Sequence, residues 1–274
     1  MVNPSKYSQV NIQRVHVQRL IDEFEEEIKH MSGKCMDIGC GPGDLTRDIL
    51  LPALDSKAVV TGTDISDSMI THAKKVYGDE IRLKFDLLDI ETKDLPKKYI
   101  SEYDHVFTFY VLHWCPNIRQ AIENIYHLLR PGGTILGLTV VSHDAFDIFY
   151  KLSQNIRYKS YIKHVSNFIP PFYNSVEPQK ELKTLFKSVG FNVLHCSHRE
   201  KTDLAEHFRL LPSLLLSFVT QFLENMPHER MEQFKDDFTR ELASRRFVYK
   251  CTRGGNERIM SNIYEILIFY AQKK

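Results

Sequence analysis

No sign of charge prevails in this 274-residue sequence. Against 36 Lys and Arg stand 35 Asp and Glu, a formal net charge of +1. A chain so balanced has no broad basic field with which to hold nucleic acid or an anionic membrane. Cysteine is scarce: five residues, none in a Cys-x-x-Cys pair. That argues against a disulfide framework or a zinc ribbon and for a reducing compartment. His195 and His198 stand three apart with no third ligand nearby, so no metal is expected. The first thirty residues are polar and lack an apolar h-region, so no secretory signal is expected. The longest apolar stretch, Leu210 to Leu223, has fourteen residues and includes Pro212. A bilayer span needs about twenty. These absences predict a cytoplasmic protein with no membrane span and no nucleic-acid partner.

What is present is the composition of an ordinary globular protein, 43% hydrophobic and 26% charged. Val17, Leu20, Ile21, Phe24 and Ile28 have helical spacing, opposite Asp22, Glu23, Glu25 and Glu26. Short apolar runs then alternate with helical patterns. Strands are expected over 34–39, 58–63, 82–88, 105–110 and 134–141. Helices are expected over 44–54, 66–76 with Ser66 as N-cap, and 118–129. Pro131-Gly-Gly133 reads as a tight turn. Such alternation means right-handed βαβ units on a parallel sheet.

Residues 142–179 are aromatic-rich and read as irregular. A helix over 181–189, ended by Gly190, and a strand over 191–196 follow. Residues 203–247 read as two or three helices. The stretch 210–223 is apolar nearly all round, and Met231, Phe234, Phe238 and Leu242 form a stripe on the last helix. Ile263 to Tyr270 reads as a closing strand. One domain is therefore expected. An N-terminal helical segment, 1–34, precedes a core over 35–141. Cap inserts occupy 142–179 and 202–259, and the sheet is completed from 180–198 and 262–271.

Met36-Asp-Ile-Gly-Cys-Gly-Pro-Gly43 is the strongest local signal. Gly39, Gly41 and Gly43 stand between a strand and a helix, where backbone can closely approach a ligand. Asp64 ends the next strand 21 residues after Gly43, where a carboxylate can bind both hydroxyls of a ribose. The spacing is Gly-x-Gly-x-Gly, not the dinucleotide Gly-x-Gly-x-x-Gly. Asp37 would also repel a pyrophosphate, whereas it suits an α-ammonium group. The pattern resembles motif I of the class I S-adenosylmethionine (SAM)-dependent methyltransferases. That resemblance implies a Rossmann-like α/β fold, a seven-stranded, mostly parallel sheet with a helical substrate cap, and SAM as cofactor. It assigns cofactor contacts to Asp37, Gly39, Cys40, Gly41, Gly43, Asp64, Ile65, Met69, Phe109 and Tyr110. The family's adenine-reading acid matches Asp89-Ile90, with Asp86 the alternative. Leu128-Leu-Arg-Pro-Gly-Gly133 matches the family's turn before strand five.

A second signal is Phe109-Tyr-Val-Leu-His-Trp114, at the carboxyl edge of the sheet, where ligands bind in such folds. Trp114 is the one tryptophan. Tyr7, Gln13-Arg14 and Ile21-Asp-Glu-Phe24, then Asp37-Ile-Gly-Cys40, Leu112-His-Trp114 and Phe172, together resemble the insect juvenile hormone acid methyltransferases. The resemblance runs over residues 5–195. It implies that Gln13 and Trp114 hold a substrate carboxylate, with Gln9 a neighbouring candidate, and that the product is the methyl ester of a farnesoid acid. Cys115-Pro116 and Pro42 depart from the family's pattern, and 200–260 cannot be matched residue by residue.

The chemistry agrees with neutral donors. A carboxylic acid is ionised at neutral pH, so methylation needs no general base. Gln and Trp N–H groups orient one oxygen and leave the other nucleophilic. His113 can add a donor. An isoprenoid tail needs an apolar pocket, for which Phe149, Phe172, Leu215 and Val219 are candidates. Two other readings remain: a methyltransferase for another small or fatty acid, and a binding protein that keeps the fold without turnover. A homodimer is possible on any of the three readings.

Overall fold

Alternation along the strands sends side chains into two separate cores. Cys35 joins one and Met36 the other; Ile266 and Ile268 join the first, Leu267 and Phe269 the second. A two-residue period is what a pleated strand imposes, and a sheet buried on both faces needs helices on each. The computed structural model supplies them. It describes residues 4, 11–163, 165–204, 216, 219, 223, 225–245, 247–250 and 257–274.

The chain runs α1 (Asn11–Glu23), α2 (Glu25–Ile28), β1 (Lys34–Ile38), a π-turn (Thr46–Leu50) continued by α3 (Leu51–Ala53), β2 (Val59–Asp64), α4 (Asp67–Tyr77) and β3 (Leu83–Leu87). Next come β4 (Tyr103–Phe109), α5 (Ile118–Leu128), β5 (Leu129–His143), α6 (Asp144–Gln154), α7 (Pro178–Val189) and β6 (Phe191–Leu204). The chain ends with α8 (His228–Ser244), β7 (Phe247–Lys250) and β8 (Glu257–Lys273). Seven strands lie in the order β3-β2-β1-β4-β5-β8-β6, and short β7 pairs with β8 off that path. The first five are mutually parallel; β8 runs antiparallel to both β5 and β6. One face packs α1, α4, α6 and α8, the other α5 and α7. The Rossmann-like sheet expected from sequence is thus present. The carboxyl ends of β1, β2 and β4 lie side by side at its centre, where β1 separates chain that winds outward in opposite directions.

Several local expectations are corrected. Pro131-Gly-Gly133 is a bulge inside β5, not a turn before it. Tyr103 pairs with Leu129 and His105 with Thr134, so extra residues of β5 are extruded between two rungs. Residues 142–179 are not wholly irregular: α6 starts there, capped by His143 Nδ1, which accepts from the Ala145 N–H at 3.0 Å. Imidazole is an uncommon cap, which hides the helix start from composition. Ser66 occupies the N-cap position of α4, but its hydroxyl pairs with Ser68. The insert placed at 202–259 begins inside β6 and ends in β7 and β8. The strands placed at 180–198 and 262–271 are longer and differently bounded, because β6 and β8 form an antiparallel ribbon paired as far out as Leu204 and Met260. The apolar stretch 210–223 lies outside the described residues except Leu216, Val219 and Leu223. Among the described residues no helix is long and apolar enough to cross a membrane.

Candidate active site

β1 delivers Asp37 to the carboxyl edge, and the chain then turns through Gly39, Gly41 and Gly43 at φ 69°, 56° and 89°. Only glycine adopts these angles without strain. Space also requires it: a Cβ on Gly39 would lie 2.2 Å from Val111, and one on Gly43 2.8 Å from the Phe85 ring. Cys40 is buried in the same loop, its N–H donating to Thr63 O at 2.9 Å. Asp64 ends β2 and fixes the loop, its Oδ2 accepting from Gly41 N at 3.0 Å and its Oδ1 from Ser66 N at 2.8 Å. Burial raises the pKa of Asp64, against those two hydrogen bonds.

Asp37 is more extreme. Burial pushes its pKa up to about 7, with the Thr46 hydroxyl bond opposing and the charge of Asp64 adding. Two carboxylates beside one glycine loop, Asp37 buried and Asp64 half-buried, leave a site deficient in positive charge. A ligand with an ammonium and a sulfonium matches that deficit, whereas a dinucleotide pyrophosphate would worsen it. The residues therefore fit SAM. Ile65 and Met69 follow Asp64; Met69 is buried, and Ile65 stays 69% exposed, an apolar side chain left uncovered at the carboxyl edge.

The two candidate adenine-reading acids separate cleanly. Asp86 accepts from Lys98 Nζ and Tyr99 Oη, each at 2.5 Å. Against burial, these bonds hold its pKa below the usual carboxylate range. Asp89 is exposed, and its Oδ1 accepts from Glu91 N at 2.9 Å. The carboxylate with room for a ligand is thus Asp89. Its loop is held from α5: buried Asn124 donates to Ile90 O at 2.7 Å and to Thr92 O at 2.8 Å, while Gln120 donates to its Oδ1. Ile90 itself is buried.

On the acceptor side, Phe109 is buried at the end of β4 and Tyr110 takes φ 62°. A left-handed tyrosine is strained, and strain of this kind gathers at functional sites. It turns the chain into the short 3₁₀ segment Leu112–Trp114. His113 is buried, and burial lowers its pKa to about 3, so it is neutral; its Nδ1 has no hydrogen-bond partner. Trp114 is half-buried, with ring centroids 4.8 Å from His113, 5.9 Å from Phe146 and 5.5 Å from Phe168. Phe149 packs against Phe168 with tilted rings, centroids 4.4 Å apart, and Val219 belongs to the same cluster. Phe172 does not: it packs with Leu182 and Phe186 in the opposite core. Gln9 and Leu215 lie outside the described residues.

Gln13 is half-buried on α1, which is secured over this edge. One turn later His16 lies between the hydroxyls of Tyr110 and Tyr264, the latter 2.9 Å from its ring nitrogens. Residues three apart share a helix face, so Gln13 lies on the face of α1 that carries His16. At the far end of α1, Arg199 grips Glu23 with two 2.6 Å bonds. Sequence reasoning missed Thr46, Asn124, His16 and Tyr264, which act across the fold. The one signal available was His16, one turn from Gln13.

Residues 36–135 match the methyltransferase domain family. Over the whole chain there is 32% identity to a juvenile hormone acid O-methyltransferase of Drosophila melanogaster, of which 93% is covered. One from Bombyx mori is 28% identical over the whole chain, with 98% covered. Among solved structures, phosphoethanolamine N-methyltransferase 2 of Haemonchus contortus, bound to S-adenosylhomocysteine, aligns with 94% of this chain and 52% of its own. The TM-score is 0.54 at 16% identity, a likeness of fold.

Proposed function

The chain belongs to the juvenile hormone acid O-methyltransferase family, and from that premise we propose that it converts a farnesoid acid, juvenile hormone acid or farnesoic acid, to its methyl ester. It is a SAM-dependent methyltransferase. When bound, SAM supplies an electrophilic methyl group, whose transfer to a carboxylate oxygen forms one C–O bond, breaks one C–S bond and releases no proton.

The observation that carries the acceptor reading is the uncharged His113-Trp114 pair beside an aromatic wall, next to the acid-lined cofactor side. A carboxylate needs orientation and no base, and a neutral buried imidazole is consistent with that. In this reading Trp114 and Gln13 donate to one carboxylate oxygen and leave the other free for in-line attack. His113 adds a neutral donor. A Lys or Arg there would bind more tightly but quench the nucleophile. Phe146, Phe149, Phe168 and Val219 offer the apolar surface that an isoprenoid tail requires, at about 0.8 kcal/mol per buried CH₂. Asp37 and Asp64 hold the methionine ammonium and the ribose, and Asp89 reads the adenine.

The test is a labelled-SAM assay with farnesoic acid, juvenile hormone acid, a saturated fatty acid and no acceptor. Label in the esters of the first two alone supports the proposal. Label chiefly in the fatty ester moves the substrate class. SAM binding without any ester overturns turnover on acids and favours a binding role.

A further inference from the structure

Arg14 carries a guanidinium nitrogen that the protein itself leaves unsatisfied. Its Nη2 pairs with Asp48, yet Nη1 is buried without a hydrogen-bond partner. Native proteins rarely leave a buried charged donor in that state, and where they do, an absent ligand or water commonly completes it. The direction of the side chain narrows the choice. Arg14 reaches from α1 to the segment directly after the glycine loop, where Asp48 lies. Its charge is the largest influence opposing the burial that raises the pKa of Asp44. The other cation on Asp48, Arg47, is half-exposed and approaches at 3.1 Å.

The cofactor carries a carboxylate as well as two positive groups. Near the glycine loop that carboxylate would meet buried Asp37 and Asp44 and half-buried Asp64, all repulsive when ionised. It needs a cation with a donor still to give. A guanidinium can hold Asp48 with one nitrogen and a second carboxylate with the other. We propose that Arg14 binds the α-carboxylate of SAM through Nη1. Gln13 is the preceding residue, so the helix that contacts the cofactor also carries half of the acceptor clamp.

Titration calorimetry with SAM and with decarboxylated SAM, which lacks only the carboxylate, tests this. Wild type is expected to favour SAM by about tenfold, the scale of a charge-assisted hydrogen bond. In Arg14→Gln that preference disappears: SAM weakens about tenfold and the decarboxylated form changes less than about twofold. Arg14→Lys keeps the charge without the fork and retains part of the preference; it provides the same comparison if the Gln variant does not fold. Equal weakening of both ligands overturns the proposal and leaves Arg14 a role in seating α1. Unchanged SAM affinity overturns it too. No acceptor acid is present, so the result is independent of the farnesoid reading.

Discussion

Thr46 Oγ1 donates a 2.6 Å hydrogen bond to Asp37 Oδ2, and both residues are buried. This contact joins the carboxyl end of β1 to the π-turn beyond the glycine loop. Asp37 titrates near 7 in the ligand-free fold, against about 3.9 for an unfolded aspartate. A raised carboxyl pKa favours the fold at low pH. That contribution is lost as pH climbs from about 4 through about 7. In the proposed role of Asp37, SAM binding has the opposite preference, because the cofactor's ammonium would pair with the ionised form. Below pH 7, binding should release a proton, and affinity should fall by up to about tenfold per pH unit. The upper limit comes near pH 8, where an α-amino group loses its own proton. Calorimetry in buffers of different ionisation enthalpy measures the release. A flat affinity between about pH 5.5 and 7.5 rejects the pairing. Thr46→Val should move the break to higher pH, since it removes the donor that favours the charged form.

Asp64 has one backbone N–H on each oxygen, from Gly41 and Ser66. Asp64→Ala should weaken SAM at least about tenfold through lost ribose contacts and a loosened glycine loop. Asp64→Asn should fare little better, because one amide nitrogen must face a backbone N–H. Fluorescence or calorimetric titration reads both variants, and wild-type affinity in either removes Asp64 from the cofactor site.

The legible parts of this protein were contiguous in sequence. Asp37, the three glycines and Asp64 occupy two short segments whose spacing is dictated by strand ends, so their arrangement could be read directly. Strand polarity beyond β5 could not. The β6–β8 ribbon runs on past its last pairing with β5, at His143 and Tyr264, to Leu204 and Met260, and pairing between segments so distant in the chain leaves no local pattern. The bulge at Pro131–Gly133 carries the same glycine and proline signature as a turn, and only pairing to β4 tells the two apart. Phe172 and Phe149 are both apolar residues of the first insert, yet the chain delivers them to opposite faces of the sheet. Thr46, Asn124 and His16 work through partners 9, 32–34 and 94 or more positions away, which no local pattern encodes.

Asn124 illustrates the last point. Its amide satisfies two carbonyls of the loop that carries Asp89, and Asn124→Ala leaves both without this donor. The expected loss is about 1–3 kcal/mol of stability, with SAM affinity lowered several-fold as the adenine loop loosens. Asn124→Asp, which cannot donate, should match it. Denaturant melts with and without SAM separate the two effects. A variant that loses stability but keeps full SAM affinity would show that the loop does not read the adenine.

Trp114→Phe keeps an aromatic ring to face Phe146 and Phe168 and removes the indole N–H together with one ring of the bicycle. If that N–H orients the acceptor carboxylate, kcat/KM for the acid should fall about 10²-fold, the scale of a misplaced reactant. SAM affinity should stay within about twofold, because the cofactor acids and glycine loop are untouched. Gln13→Ala should behave alike. The double variant should lose less than the sum of the two, since either donor is of little use once the other no longer fixes the oxygen. Full additivity would mean the two residues act separately, and normal turnover in both single variants would place the carboxylate elsewhere along the edge of β4.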